Sequence, residues 1–252
     1  MTLGEFARVV GNLKGITEYL YLHLLGEPLV HPMLPTFIEY AKNCGFKVAI
    51  TTNGTLLREK GESLILAGAY KVNISLHSFE GESENKQTEY VRECIAFADR
   101  ASRAGVLTVL RLWNIERGGN TAVDGRNART LDLLHERFEG DWTLGARGAR
   151  IRDKLHIEYG EKFEWPDMRA DDLGERVFCH GLGDHFGILA DGSVVPCCLD
   201  AEGDMTLGNI FERDIRDILA SPRAIAIKEG FANKKAAEEL CRRCGYARRF
   251  KV

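Results

Sequence analysis

The sequence predicts an α/β protein built on a parallel sheet, followed by a small cysteine-rich domain. Two observations carry this expectation. Up to about residue 158, apolar runs of strand length alternate with amphipathic segments of helical period, and repeated βα units with short connections imply a parallel sheet, doubly wound or curved into a full or partial barrel. After about residue 165 the pattern breaks, and five of the seven cysteines fall on hairpin-like and loop segments.

Each element follows from its own spacing. Leu3, Phe6, Val9, Val10 and Leu13 share one face and predict a helix over 3–13. EYLYLHLL reads as a strand, MLPTFIEYAKNCG as a helix closed by Gly45, and FKVAIT as the next strand. A helix over 55–66, the strand YKVNISL, a helix from about Thr88 to Ala104 and the strand VLTVLRLW continue the series. A helix over about 128–138 and a single last strand near 149–158 close it. In the C-terminal part, GILADGSVVPCC holds two short strands around an Asp-Gly turn. LGNIFERDIRDILASP reads as a turn and one helix.

Composition excludes several function classes. The formal charge of −3 leaves no basic excess for a phosphate backbone, so nucleic acid is not expected as a partner. No apolar run approaches the roughly 20 residues that cross a bilayer, and MTLGEFARVVGNLKG has neither the apolar core nor the cleavage site of a secretory signal, so a cytoplasmic location away from membranes is expected. Seven cysteines without an export signal argue for reduced thiols or metal ligands rather than a disulfide framework.

In a parallel sheet the ligand lies at the carboxyl ends of the strands, which is where LGEP, TTNGT, SLHSFE and RLWN fall. Gly26 allows close backbone approach, and Glu27, extended before Pro28, exposes a carboxylate that could accept from an ammonium group. Thr52 and Asn53 supply short hydrogen-bonding side chains, and Gly54 a permissive turn. Cys241 and Cys244, three apart at a turn, can direct both sulfurs at one centre, and Cys179 with Cys197 or Cys198 completes four thiolates. Cys197, directly after Pro196, is the preferred member of the adjacent pair. Four thiolates suit tetrahedral zinc or an iron-sulfur cluster, and spacing alone does not choose. Cys44 and Cys94 read as small core residues, and His23 and His31 as structural. The glycine-rich GLGDHFG and RGGNTAVDGRN read as loops with no assigned role.

These segments form an ordered series that resembles a known family. LGEPLVHP resembles the GGEPLLHP loop of radical S-adenosylmethionine (SAM) enzymes, TTNGTLL their TNGTLL loop, and ISLHSFE the segment that contacts the SAM ribose. CHGLGDHFGILADGSVVPCCLD, LGNIF and CRRCGY together resemble the SPASM/twitch auxiliary-cluster domain appended to many of them. The resemblance implies a partial (β/α)6 barrel over 1–165 lacking its first strand, and an auxiliary 4Fe-4S domain over 166–252. It implies that Gly26 and Glu27 bind the methionine amino group of SAM and that Thr52 and Asn53 line the pocket beside it. Ser75, with His77 nearby, would meet the ribose or carboxylate, and Arg111 the carboxylate. Cys179, Cys197, Cys241 and Cys244 would hold the auxiliary cluster, in the one-cluster twitch form.

As activity, the resemblance implies an iron-sulfur oxidoreductase or maturase that generates a 5′-deoxyadenosyl radical to modify a peptide or small substrate, with flavodoxin or ferredoxin as reductant. One departure stands out. The family's CxxxCxxC motif, which holds the SAM-binding 4Fe-4S cluster, is absent, because no cysteine precedes Cys44. The expectation is an N-terminally shortened reading frame, with a non-catalytic iron-sulfur or zinc protein of structural or electron-transfer role as the alternative.

Overall fold

The computed structural model describes residues 1–78, 82–115 and 125–250. Phe79 and Glu80 of SLHSFE, and residues 117–124 of RGGNTAVDGRN, lie outside the described residues. Contacts divide the chain into two compact units, one of Thr17–Lys162 and one of Met1–Ile16 with Phe163–Val252.

The first helix, α1 (Leu3–Leu13), starts with a capping box in which Thr2 and Glu5 satisfy each other's backbone N–H groups. It buries Phe6, Val9, Val10 and Leu13, as the spacing predicts. Arg8 Nη2 donates to Phe211 O at 2.8 Å and the guanidinium lies 4.9 Å from the Phe211 ring, so α1 belongs with the C-terminal residues, where the sequence reading grouped it with residues up to 165.

The larger unit follows the βα alternation. It contains β1 (Tyr19–Tyr21), α2 (Leu34–Asn43), β2 (Lys47–Thr52), α3 (Leu57–Ala67), β3 (Lys71–Ser75), α4 (Glu84–Arg103), β4 (Leu107–Ile115) and α5 (Gly125–Arg137). The hairpin strands β5 (Thr143–Gly145) and β6 (Gly148–Arg152) and the strand β7 (Leu155–Glu161) end it. Among the described residues the sheet order is β1-β2-β3-β4-β7-β6-β5, parallel from β1 to β7 and antiparallel beyond. The single strand expected over 149–158 is two strands. Lys154 adopts a left-handed φ of 59° and reverses the chain, which lets β7 return parallel to β4 while β6 runs back along it.

Side-chain alternation gives the sheet two unlike faces. Val48, Ile50, Val72, Ile74, Leu110 and Leu112 are almost fully buried and alternate with Thr51, Lys71, Ser75, Arg111 and Trp113, which are only partly covered. The apolar face meets the helices. Ile74 and the α4 residues Tyr90 and Cys94 converge at Gly54, and Gly61 of α3 lies against Phe97 of α4 closely enough that a Cβ would sit 2.6 Å from that ring.

In the smaller unit, β8 (Gly187–Ile188), β9 (Ser193–Val195) and β10 (Gly208–Asn209) form a three-stranded antiparallel sheet. The expected Asp-Gly turn is there. Asp191 accepts from Ser193 N and Oγ, and Gly192 takes φ 90°. Where one helix was expected there are two, α6 (Ile215–Leu219) and α7 (Pro222–Ala232), because Ser221 and Pro222 stop the first and start the second. A short α8 (Glu239–Arg242) carries Cys241. No helix among the described residues is long and apolar enough to cross a membrane.

Candidate SAM-binding rim and cysteine centre

The LGEP and TTNGT loops are latched to each other. Glu27 caps the 3-10 turn Pro28–Val30 by accepting from Leu29 N at 3.0 Å. The same carboxylate accepts from Thr52 Oγ1 at 2.7 Å and from Asn53 N at 2.6 Å, across 25 residues of chain. Two loops that read as ordinary turns one at a time are thus one structure. With three of roughly four acceptor sites filled, the carboxylate keeps room for one more donor such as an ammonium group. Gly26, at φ 79° with nothing near its missing Cβ, supplies the approach to it.

The TTNGT loop is built inward from Asn53. Asn53 Oδ1 accepts from Thr55 N and Oγ1 at 2.9 and 2.7 Å, and Thr52 Oγ1 accepts from Gly54 N at 3.0 Å. Tyr90 supports the loop from below. Its hydroxyl lies 2.7 Å from both Asn53 O and Ser75 O, so one proton serves two rim loops alternately. Burial pushes the Tyr90 phenol well up and keeps it protonated. Tyr90 was not singled out from sequence; its signal, an apolar-face position of α4, belongs equally to any core tyrosine.

Gly54 sits at φ 81°, and a Cβ there would lie 2.7 Å from Cys94 Sγ and 3.1 Å from the Tyr90 hydroxyl. Gly54→Ala is therefore expected to cost about 3 kcal/mol, from the left-handed backbone and the overpacking together. In denaturant titrations, Cys94→Ala in the same chain should recover part of that loss but not all, since it relieves only the contact. Cys94 is fully buried, with burial pushing its thiol up to about 12, in keeping with a core role; Cys44 is only half-buried.

Ser75 and Arg111 are register partners on β3 and β4, so the structure brings these two expected SAM contacts side by side. Arg111 is already occupied. Its Nε lies 3.4 Å from Glu158 Oε2 and its guanidinium 4.5 Å from the Trp113 ring. Gly160 gives the indole room, since a Cβ there would lie 2.7 Å from Trp113 Cδ1. His77 lies half-buried beyond β3. His23, read as structural, bonds Thr51 Oγ1 at 3.3 Å, and the same oxygen accepts from the buried Asn73 Nδ2 at 3.1 Å. Burial, with Arg111 nearby, pushes His23 down to about 4, so it is neutral at physiological pH. His31 accepts from Met33 N at 3.1 Å and packs on Phe37, which is a structural role.

In the smaller unit, four cysteines share one neighbourhood. Burial raises the thiols of Cys179, Cys197, Cys241 and Cys244, that of Cys197 to about 12. A charge on Cys179 or Cys197 would raise Cys241 further, and Cys244 acts on it too. Backbone N–H groups pull the other way: those of His180 and Gly181 near Cys179, of Leu199 and Asp200 near Cys197, and of Tyr246 and Ala247 near Cys244 lower the thiols. Buried sulfurs already facing amide donors suit thiolates held by a metal centre, whose hydrogen bonds then tune it. Cys198 is exposed as a residue, while Cys197 is half-buried; burial raises both thiols, and both lie near Cys179.

Among the described residues no three His, Cys, Asp or Glu side chains form a ready-made single-ion site. A 4Fe-4S cluster distributes four thiolates over four irons, whereas one zinc draws four sulfurs to within about 3.8 Å of each other at Zn–S bonds of about 2.3 Å. Four cysteines in one half-buried to buried neighbourhood, three of them with backbone amides nearby, fit the cluster's donor set.

Comparison with known proteins agrees with this geometry. Residues 179–245, from the first of these cysteines to just past the last, match the model of the SPASM iron-sulfur cluster-binding domain. Over 271 aligned residues the chain is 28% identical to a GTP 3',8-cyclase of Paenarthrobacter nicotinovorans, covering 93% of this chain and 75% of that protein. It is 44% identical over 173 residues to a GTP 3',8-cyclase of Chlorobaculum tepidum, covering 62% of this chain and 52% of that one. Its fold is similar to that of BtrN in complex with AdoMet and 2-DOIA, with a TM-score of 0.59 at 16% identity over 97% of this chain and 80% of BtrN. By sequence relatives, domain match and fold together, the chain is similar to radical SAM enzymes, and its residues 179–245 match the SPASM iron-sulfur cluster-binding domain.

Proposed function

We propose that the protein is a radical SAM/SPASM-type oxidoreductase or maturase acting on a peptide or small-molecule substrate. In this reading the rim of the larger unit holds SAM and the smaller unit holds one auxiliary 4Fe-4S cluster on Cys179, Cys197, Cys241 and Cys244. The observation that carries it is the Glu27 latch. A carboxylate held by Thr52, Asn53 and Leu29 with an acceptor site to spare is a fixed receptor for the methionine ammonium of SAM. Thr52 and Asn53 wall the pocket, Ser75 and His77 face the ribose or carboxylate, and Arg111 reaches the carboxylate if it shares its charge between that group and Glu158.

When bound, an auxiliary cluster supplies one-electron redox chemistry, exchanged with a flavodoxin or ferredoxin or with the substrate. This chain's own residues exclude water from the cysteine neighbourhood and donate backbone N–H groups to its sulfurs. The thiolate triad of a SAM-binding cluster is not among these 252 residues, and no step is assigned to it. A second reading is a non-catalytic iron-sulfur protein of structural or electron-transfer role.

Metal analysis tests the cluster, and SAM binding separates the two readings. After anaerobic reconstitution, about four irons and four sulfides per chain are expected, as for one four-thiolate cluster, with loss of both in Cys241→Ala. One zinc without sulfide, or no metal, would overturn the assignment. Equilibrium dialysis with SAM should show retention that Glu27→Ala removes, and no retention would favour the non-catalytic reading. Since both relatives named above are GTP 3',8-cyclases, GTP is the first small molecule to offer alongside peptides.

A further inference from the structure

Two arginines frame the Cys241–Cys244 turn, and they are not equivalent. Arg242 forms an ion pair with Asp172, so its charge is balanced. Among the described residues Arg248 has no such partner. Its Nη1 donates to Arg176 O at 3.0 Å, and its Nη2 to Gly174 O at 2.8 Å and Arg242 O at 3.4 Å. All three acceptors are neutral carbonyls, and among the described residues no carboxylate lies within ion-pair distance of it. Its Nε is buried without a hydrogen-bond partner, as is that of Arg242. A buried donor left unpaired is costly, and this half-buried cation keeps one donor unused. It stands four residues from Cys244, and its Nη2 bond to Arg242 O ties its guanidinium to the Cys241–Cys244 turn itself.

We propose that Arg248 is a positioning residue for the cluster of this unit: it stitches the 174–176 loop to the Cys241–Cys244 turn and holds beside it a positive charge that no carboxylate among the described residues balances. The inference rests on the four-cysteine cluster described above. One-electron reduction adds one negative charge to such a cluster, and a fixed cation nearby stabilises that state. A lysine retains the charge but not the planar fork that reaches three carbonyls at once. Glutamine loses both.

The test uses the full chain after anaerobic reconstitution: iron per chain, then a dithionite titration of the cluster followed by electron paramagnetic resonance, on wild type, Arg248→Lys and Arg248→Gln. Expected is a midpoint for Arg248→Gln more negative than wild type, with Arg248→Lys close to wild type. If Arg248→Gln fails to hold iron while Arg248→Lys holds it at the wild-type midpoint, the charged tether is still supported. An unmoved Arg248→Gln midpoint, an equal shift in Arg248→Lys, or loss of iron from both variants would overturn the role of the charge. A wild-type chain that binds no iron defeats the cluster reading itself, and this inference with it.

Discussion

Replacing Glu27 by alanine is expected to remove SAM retention and to lower the unfolding free energy by about 3 kcal/mol, because three donors lose a charged acceptor at once. Those donors are Leu29 N, Thr52 Oγ1 and Asn53 N. The site is only half-buried, so water recovers part of the loss and the figure stays below the sum of three full penalties. Amide hydrogen exchange gives the sharper readout. The Asn53 and Leu29 amides should exchange faster in Glu27→Ala, while amides in the core of β2 should change only as far as global stability does. Thr52→Val removes one of the three bonds without touching the charge and also takes the acceptor from Gly54 N; it should cost about 2 kcal/mol and leave the Asn53 amide protected. Equal exchange at Asn53 in wild type and Glu27→Ala would mean that the two loops hold themselves, and the latch would be lost as an explanation of the rim.

Asp99 is the second position where a large effect is expected. It is buried on α4 and accepts from Arg103 Nε at 2.9 Å, with Arg137 and Arg152 in shorter contact, while Arg152 also reaches Asp99 O at 2.9 Å and Ser102 Oγ at 2.8 Å. One carboxylate thus joins α4, α5 and the β6–β7 hairpin. Burial alone would raise its pKa; the hydrogen bonds of Arg152 and Arg103 and the charges of Arg152 and Arg137 outweigh it and hold the carboxyl below its ordinary value of 3.8. Asp99→Asn keeps the shape and leaves three guanidinium groups uncompensated. Breaking a buried pair costs about 3–5 kcal/mol. Arg103 and Arg137 have side chains more than half exposed and are screened, which puts the expectation near the lower end, at about 3 kcal/mol.

The pH dependence has a definite sign. A carboxyl with a lowered folded pKa stabilises above its unfolded pKa and loses that contribution as pH falls through the folded one. The gap between wild type and Asp99→Asn in denaturant unfolding should be constant down to about pH 4, the unfolded carboxyl range, and close below it. A gap that persists unchanged into acid would show that shape, not charge, is what Asp99 supplies.

Much of this was legible in the chain because it is local. The period of Leu3, Phe6, Val9, Val10 and Leu13 gives α1, the Asp191–Gly192 turn pairs β8 with β9, and the left-handed conformations of Gly26 and Gly54 sit where the rim loops need them. The cysteine series needed no structure to be noticed, because adjacent and three-apart cysteines at turns are rare by chance. Where local signals ran out, the reading failed in understandable ways. Nothing in RDK announces a reversal, so β6 and β7 read as one strand until the left-handed Lys154 separates them.

What the sequence determined by itself is the βα alternation, the placing of polar segments towards the carboxyl ends of strands and a set of four candidate thiolate ligands after residue 165, all properties of spacing within a few residues. Only the tertiary structure decided that Glu27 binds the loop 25 residues on, that Asp99 gathers arginines from three elements, that α1 packs with the C-terminal residues, and that Arg111 pairs with Glu158. The physical reason is common to all four: a charged side chain takes whichever partner the fold brings within about 3 Å, and that distance is set by sheet register and helix packing rather than by neighbours along the chain.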